Sequence, residues 1–276
     1  MAPGAFSKKK IIACIIVRMK STRLPGKAMA EIHGKPMIRL LIDRMKTAET
    51  IDEIVVCTST DKEDKILIDV ARESGIQSFA GSHEDVFSRF YSAGKAFDAD
   101  ILVRVTGDNV LTCPVNIDQM VRQHVKLDAE YTRTNGLPLG VTAELMSMDM
   151  IARLKKRIPD TKSSEYLMLY AFDPDHFRCA VLDAPPEVNR PHYSLTVDTP
   201  EDLSFMKNIF SKFPPTAAGP RIEDVVALLD ASPEYTGIPD DTAIKMPGET
   251  TITFAECLQM MSDRAKKAKA CFKNTN

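Results

Sequence analysis

"IIACIIVRMKSTRLPGK", residues Ile11 to Lys27, joins an uninterrupted apolar run to a loop that crowds Arg18, Lys20, Arg23 and Lys27 together. The apolar run reads as a β-strand buried on both faces. Pro25 and Gly26 keep the charges that follow from lying along a helix. Positive charge is therefore gathered in a loop at the end of a buried strand.

Two further β-rich runs, "EIVVCTS" and "DILVRVTG", are separated by helical patterns. These are "PMIRLLIDRMKTA", with apolar Met37, Ile38, Leu41, Ile42 and Met45, then "EDKILIDVARESG" and "EDVFSRFYSAGKAF". Apolar strands alternating with amphipathic helices imply an α/β fold, a doubly wound and mostly parallel sheet covered on both faces. From about Asp128 the rhythm changes. "EYTRTNGLPLGVTAELMSM" predicts irregular strands around turns at Asn135-Gly136 and Leu139-Gly140. Helices near 148–156 and 163–171 and the strand-like runs "FRCAVLDA" and "YSLTVDT" follow. This α+β insertion, about 129–195, is expected to close one edge of the sheet and to carry acceptor or subunit contacts, including a homodimer interface. The main domain is thus expected over 8–213, with a linker at 214–220 in "KFPPTAAGPR". Apolar stripes in "IEDVVALLDA" and "TFAECLQMMSDRAKKAKACF" predict a helical C-terminal extension over 221–276 that serves as a packing appendage.

Hydrophobic residues make up 44% of the 276 and charged residues 27%, the balance of a folded, soluble protein. A net charge of −2 argues against a nucleic-acid polymer or an anionic membrane as partner, and the local cluster of cations suits a small anionic ligand instead. Cys14, Cys57, Cys113, Cys179, Cys257 and Cys271 form no C-x-x-C pair and mostly sit in apolar runs, as reduced core thiols do, which fits a cytoplasmic setting. "KKKIIACIIV" begins like a signal peptide, but Arg18 ends the run early and no cleavage pattern follows. No segment approaches the roughly 20 apolar residues of a membrane span.

In an open α/β sheet, ligands bind beyond the carboxyl ends of the strands. The basic loop lies there after the first strand. Main-chain N–H groups around Ser21 to Gly26, with the guanidinium and ammonium groups, would cradle phosphate oxygens; the alternative is a solvated basic loop. Neither G-x-x-x-x-G-K-[ST] nor G-x-G-x-x-G is present. Asp108 follows "VRVTG" at the end of the third strand, and Asp198 ends "YSLTV" before the helix start "TPEDL". Two carboxylates beside a phosphate cradle suit Mg²⁺, whereas each alone also fits a turn or a helix cap. "DAD", Asp98 to Asp100, lies at the amino end of its strand and reads as a turn. The five histidines show no metal spacing, and His192 is a candidate for the acceptor site.

"RMKSTRLPGKAM", "HGKPMI", "IDEIVVCTS", "GSHEDVFSRF", "VRVTGD" and "LTVDTPEDL" resemble, in order, the signatures of the cytidylyltransferase family, which includes CMP-KDO and CMP-acylneuraminate synthetases. The likeness is strongest to the spore-coat polysaccharide biosynthesis protein F group and spans about Ile11 to Phe210. The resemblance implies a sheet like that of nucleotide-diphospho-sugar transferases. It implies that Arg18, Ser21, Arg23 and Lys27 hold the nucleotide triphosphate, that Asp108 and Asp198 coordinate Mg²⁺, and that Arg89 lies on the base side, where its other reading is a surface helix start. The implied reaction is transfer of CMP from CTP to a sugar acid or related small anionic acceptor, with release of pyrophosphate, in surface-glycan biosynthesis. A phosphate or phosphonate acceptor, or a glycosyltransferase using a nucleotide sugar, are the alternatives. The group typically carries an acid and a histidine where Thr142 and Tyr166 stand here, while Glu144 and Glu165 remain, so the acceptor is expected to differ.

Overall fold

Ile12, Ala13, Cys14 and Ile15 have no exposed surface. Such a strand must lie inside a sheet with both faces covered, and the computed structural model places it there. The structure describes residues 9–158, 167–247 and 250–273. In chain order come β1 (Ile11–Ile16), a small hairpin of β2 (Glu31–Ile32) and β3 (Lys35–Pro36), α1 (Met37–Met45), β4 (Glu53–Ser59), α2 (Lys65–Glu73) and β5 (Gln77–Gly81). Next are α3 (Val86–Ala96), β6 (Ile101–Thr106), α4 (Pro114–Lys126), β7 (Tyr131–Asn135), β8 (Glu144–Ser147), α5 (Met148–Leu154), α6 (Leu167–Ala171) and β9 (Cys179–Asp183). The chain continues through α7 (Pro200–Ser211), α8 (Ile222–Asp230), β10 (Ala243–Lys245), β11 (Thr251–Thr253) and α9 (Phe254–Lys273).

Seven strands form the central sheet in the order β5-β4-β1-β6-β8-β7-β9. Only β8 runs antiparallel to its neighbours, so the sheet is mostly parallel, as the alternation of runs implies. Alternate residues of β1 face opposite layers. Ala13 and Ile15 pack with Ile38, Leu41 and Met45 of α1, Leu67 of α2 and Ile117 and Met120 of α4. Ile12 and Cys14 pack with Phe87 and Phe90 of α3, Ile151 of α5 and Met261 and Ala265 of α9. The winding reverses at β1, which has β4 on one side and β6 on the other, and ligands of open sheets collect at that reversal.

Gly107, directly after β6, is demanded by packing: a Cβ there would lie 2.6 Å from Val17 Cβ. This close approach holds the exits of β1 and β6 together, which is where the basic loop begins.

The insertion does more than close an edge, because β7, β8 and β9 are themselves members of the main sheet. "YSLTVDT" differs from expectation. Among the described residues its bridge joins Ser194 to Leu139, and its N–H groups pair with loops: Leu195 to Leu139 O at 2.8 Å and Val197 to Asp108 O at 3.1 Å. α5 stops at Leu154, and the start of the helix expected from Ser163, with Glu165 and Tyr166, lies outside the described residues. The 214–220 segment is tied down: the buried Arg44 guanidinium donates to Ala218 O and, at 2.9 Å, to Pro220 O. α8 buries Val225, Val226 and Leu229 in one cluster with Met206, Ile209 and Phe210 of α7, and the C-terminal part also contains the β10–β11 hairpin, too short to leave a clear alternation in sequence. Cys14, Cys57 and Cys179 are buried and no disulfide forms among the described residues; burial pushes the Cys57 thiol up to about 11. No helix among them is long and apolar enough to cross a membrane.

Candidate active site

A cavity of about 750 Å³ opens at the exits of β1 and β6. Arg18, Ser21, Arg23, Lys27, Arg89, Asp108 and Asp198 all line it, joined by Lys20, Thr22, His83 and Thr106. Five cationic side chains thus face two carboxylates in one concavity.

The basic loop owes its shape to internal bonds. Gly26, at φ 72°, donates to Met19 O at 3.0 Å, and Leu24 N–H donates to Ser21 Oγ at 3.4 Å. These two N–H groups are therefore turned inward and Pro25 has none, which narrows the expected main-chain cradle to Ser21–Arg23. Asp64, which the motifs did not single out, anchors the loop from below. Its carboxylate accepts from Met19 N at 2.6 Å and Ser59 N at 3.1 Å, joining the loop to the end of β4. Burial opposes its ionisation, but the Met19 and Ser59 donors outweigh burial and hold its pKa below the ordinary range.

Asp108 and Asp198 are brought together by the Val197 N–H to Asp108 O bond. Asp198 is not the helix cap: Thr199 and Asp202 form the capping box of α7, with Pro200 in the first turn, and Asp202 Oδ2 also accepts from Asp198 N at 3.0 Å. The Asp198 side chain is thereby released toward the cavity. Lys27 Nζ sits between the carboxylates, 3.0 Å from Asp108 Oδ2 and 2.8 Å from Asp198 Oδ1, and gives its third hydrogen to Val197 O at 2.9 Å. Arg23 Nη2 reaches the same Asp198 oxygen at 3.0 Å. Lys27 therefore faces the aspartates, whereas the resemblance implied that it faces the triphosphate.

Two hard oxygen donors that already converge on one cationic atom suit a divalent ion. Among the described residues no group of three or more His, Cys, Asp and Glu side chains is set to hold a metal, so an ion here must draw further oxygens from substrate and water.

Arg18 Nη1 meets His83 Nε2 at 3.2 Å and His83 O at 3.3 Å. A guanidinium only donates, so Nε2 accepts, and the other ring nitrogen, Nδ1, lies 2.6 Å from Asp61 Oδ2. Arg18 is thus positioned by a histidine that no spacing rule picks out. Arg89, 2% exposed, donates from Nη1 to Ser82 O at 2.6 Å, which makes it a buried wall of the cavity; its segment does start a helix, α3, capped by Asp85, but Arg89 itself is not on the surface.

The remaining candidates lie elsewhere. His192 packs edge-on against Tyr193 at 4.8 Å and is not a lining residue of the cavity. Asp98, at φ 52°, and Asp100, which accepts from Lys10 N at 2.6 Å, form the turn expected at the amino end of β6. Thr142 is half-buried and donates to Ala143 O. Glu144 is 2.6 Å from Arg104 and accepts from the Tyr131 hydroxyl at 2.5 Å.

Two of the solved structures that the fold matches illustrate the likeness. One is a cytidylyltransferase from Leptospira borgpetersenii serovar Hardjo-bovis, with TM-score 0.73, 23% identity, and coverage of 86% of this chain and 98% of that one. The other is CMP:2-keto-3-deoxy-manno-octonic acid synthetase complexed with CTP, with TM-score 0.58, 15% identity, and coverage of 74% and 99%. In sequence, the spore coat polysaccharide biosynthesis protein SpsF of Bacillus subtilis is 29% identical over 234 residues, which cover 81% of this chain and 95% of that protein. The cytidylyltransferase family model matches residues 12–210, a span that holds every cavity residue named above, and the chain belongs to that family of nucleotidyltransferases.

Proposed function

We propose that the protein transfers CMP from CTP to a small acceptor bearing an acidic group, in surface-glycan biosynthesis. An acceptor oxygen attacks the α-phosphorus, the bond from that phosphorus to the bridging oxygen breaks, and pyrophosphate leaves. The observation that carries the reading is the sharing of one cavity by the cationic loop and the aspartate pair at the reversal of the sheet. CTP in the synthetase of the same fold and glycan synthesis in the name of the Bacillus relative support it.

Arg18 and Arg23 neutralise the β and γ phosphates as the leaving group gains charge. Asp108 and Asp198 would hold Mg²⁺, which when bound supplies positive charge to the phosphate oxygens. Lys27 draws the two carboxylates into one place. Arg89 and His83 line the cavity beside Arg18 of the loop.

Incubation with CTP, Mg²⁺ and a panel of sugar acids and phosphorylated or phosphonate acceptors, assayed for pyrophosphate, tests the reading. Pyrophosphate release dependent on one acceptor class is expected. Release of a nucleoside diphosphate from a nucleotide sugar, with no pyrophosphate from CTP, would overturn it.

A further inference from the structure

Arg104, Glu144 and Arg133 form one row across β6, β8 and β7. Arg104 pairs in register with Glu144. Continuing the β7–β8 register one residue past Thr132 and Leu145 sets Arg133 against the same Glu144. Side-chain alternation puts all three on the face that carries Leu102, Tyr131 and Met146.

Both oxygens of Glu144 are taken, by Arg104 and by the Tyr131 hydroxyl. The partners that Arg133 finds among the described residues are two sulfurs and a ring. Its Nη1 lies 3.0 Å from Met168 Sδ and 3.5 Å from Met261 Sδ, and its guanidinium carbon is 5.2 Å from the centre of the Phe172 ring. Among the described residues, the buried Nε atoms of Arg104 and Arg133 find no hydrogen-bond partner. Thioether sulfur is a weak acceptor, and a buried donor without a partner is costly to keep. Two guanidinium groups against one carboxylate leave positive charge in excess. The row has donors and charge for an oxyanion that the described chain does not supply.

Its position suits the nucleotide cavity. Thr106 lines that cavity and stands two residues beyond Arg104 on the same face of β6, a step of about 6.6 Å along a strand. β6 and β7 both run antiparallel to β8, and Arg133 stands two residues before the end of β7 as Arg104 does on β6. An anion held by this row would lie beside the nucleotide, toward the same rim.

We propose that Arg133, with Arg104 beside it, binds the acidic group of the acceptor, a carboxylate or a phosphoryl oxyanion. The proposal rests on the cytidylyltransfer reading for its use, but the binding can be measured apart from it. The full chain, with and without CMP, is titrated calorimetrically with gluconate, inorganic phosphate and methylphosphonate. The first against the other two separates a carboxylate from a phosphoryl ligand. Binding of at least one anion is expected, weakened about tenfold or more by Arg133→Gln, with CMP affinity unchanged. Arg133→Lys should fall between, because an ammonium keeps the charge but loses the planar fork. A wild-type chain that binds none of the three anions overturns the proposal, as does Arg133→Gln binding them like wild type. Should the Gln variant fail to fold, Arg133→Lys carries the test, and wild-type affinity in it is the overturning result. Failure of the wild type to bind CMP would strike the cytidylyltransfer reading and leave the anion site standing.

Discussion

β5, β4, β1 and β6 on one side and β8, β7 and β9 on the other belong to one sheet, yet they hold charge differently. In the first half the charges ride on loops beyond the strand ends: Arg18, Arg23 and Lys27 after β1, and Asp108 after β6. From the border with β6 onward they lie within strands: Glu144 on β8 takes Arg104 of β6 and the Tyr131 hydroxyl of β7, and Arg133 on β7 rests on sulfur and a ring. Loop charges keep contact with water and can exchange one partner for another. Strand charges are fixed by register, so an unmatched one persists until a ligand meets it. On the proposed reading, the first half would grip and release the nucleotide and the other half would select the acceptor.

The largest effect expected from breaking this division is at the aspartates. Asp108→Asn and Asp198→Asn should each fold yet lose roughly a hundredfold or more in pyrophosphate release, because an amide cannot replace a carboxylate's charge at a metal. Near wild-type rates in both would remove the pair from the chemistry. A smaller effect is expected at Arg23, 64% exposed, where Arg23→Ala should weaken CTP far more than CMP by calorimetry, by roughly 1.5–3 kcal/mol. Equal losses would mean that the loop does not meet the β and γ phosphates.

Lys27→Met leaves two neighbouring carboxylates without their shared ammonium. Thermal unfolding should show a loss of about 1–3 kcal/mol that added Mg²⁺ offsets. If Mg²⁺ stabilises variant and wild type equally, lysine and metal do not share the place. The least effect at neutral pH is at Asp64. Its folded pKa lies below the unfolded value of about 3.9, so its contribution is complete above that value and is lost as pH falls through the folded one. Stability followed into acid should therefore fall more steeply in wild type than in Asp64→Asn, and parallel curves would contradict the anchoring role.

The same contrast explains what could be read from the sequence. The basic loop and Asp108 were legible because each follows a strand directly, and a strand end in a doubly wound sheet has a known place; Asp198 was reached through a strand signal that the structure instead bonds to loops. Asp64 and His83 were not: their partners are a main-chain N–H of Met19 and the Arg18 guanidinium, met only after folding. Arg104 lay in a quoted motif, "VRVTGD", but its meeting with Glu144 depends on an antiparallel strand inserted among parallel ones, which periodicity does not announce. "YSLTV" has the alternation of a strand, yet its N–H groups bond to loops, a choice made by tertiary structure.

Lys27 ties Asp108 across 81 positions of chain and Asp198 across 171. Closing loops of that length costs entropy before any contact rewards it, so such contacts form late when a chain folds. The triad of charges comes into being only when the chain between them, insertion included, has found its register. Catalytic competence is then a report on completed folding. In refolding experiments, the return of CTP affinity should trail the return of helical signal, and a nascent chain released before "LTVDTPEDL" should carry the basic loop without a site to serve.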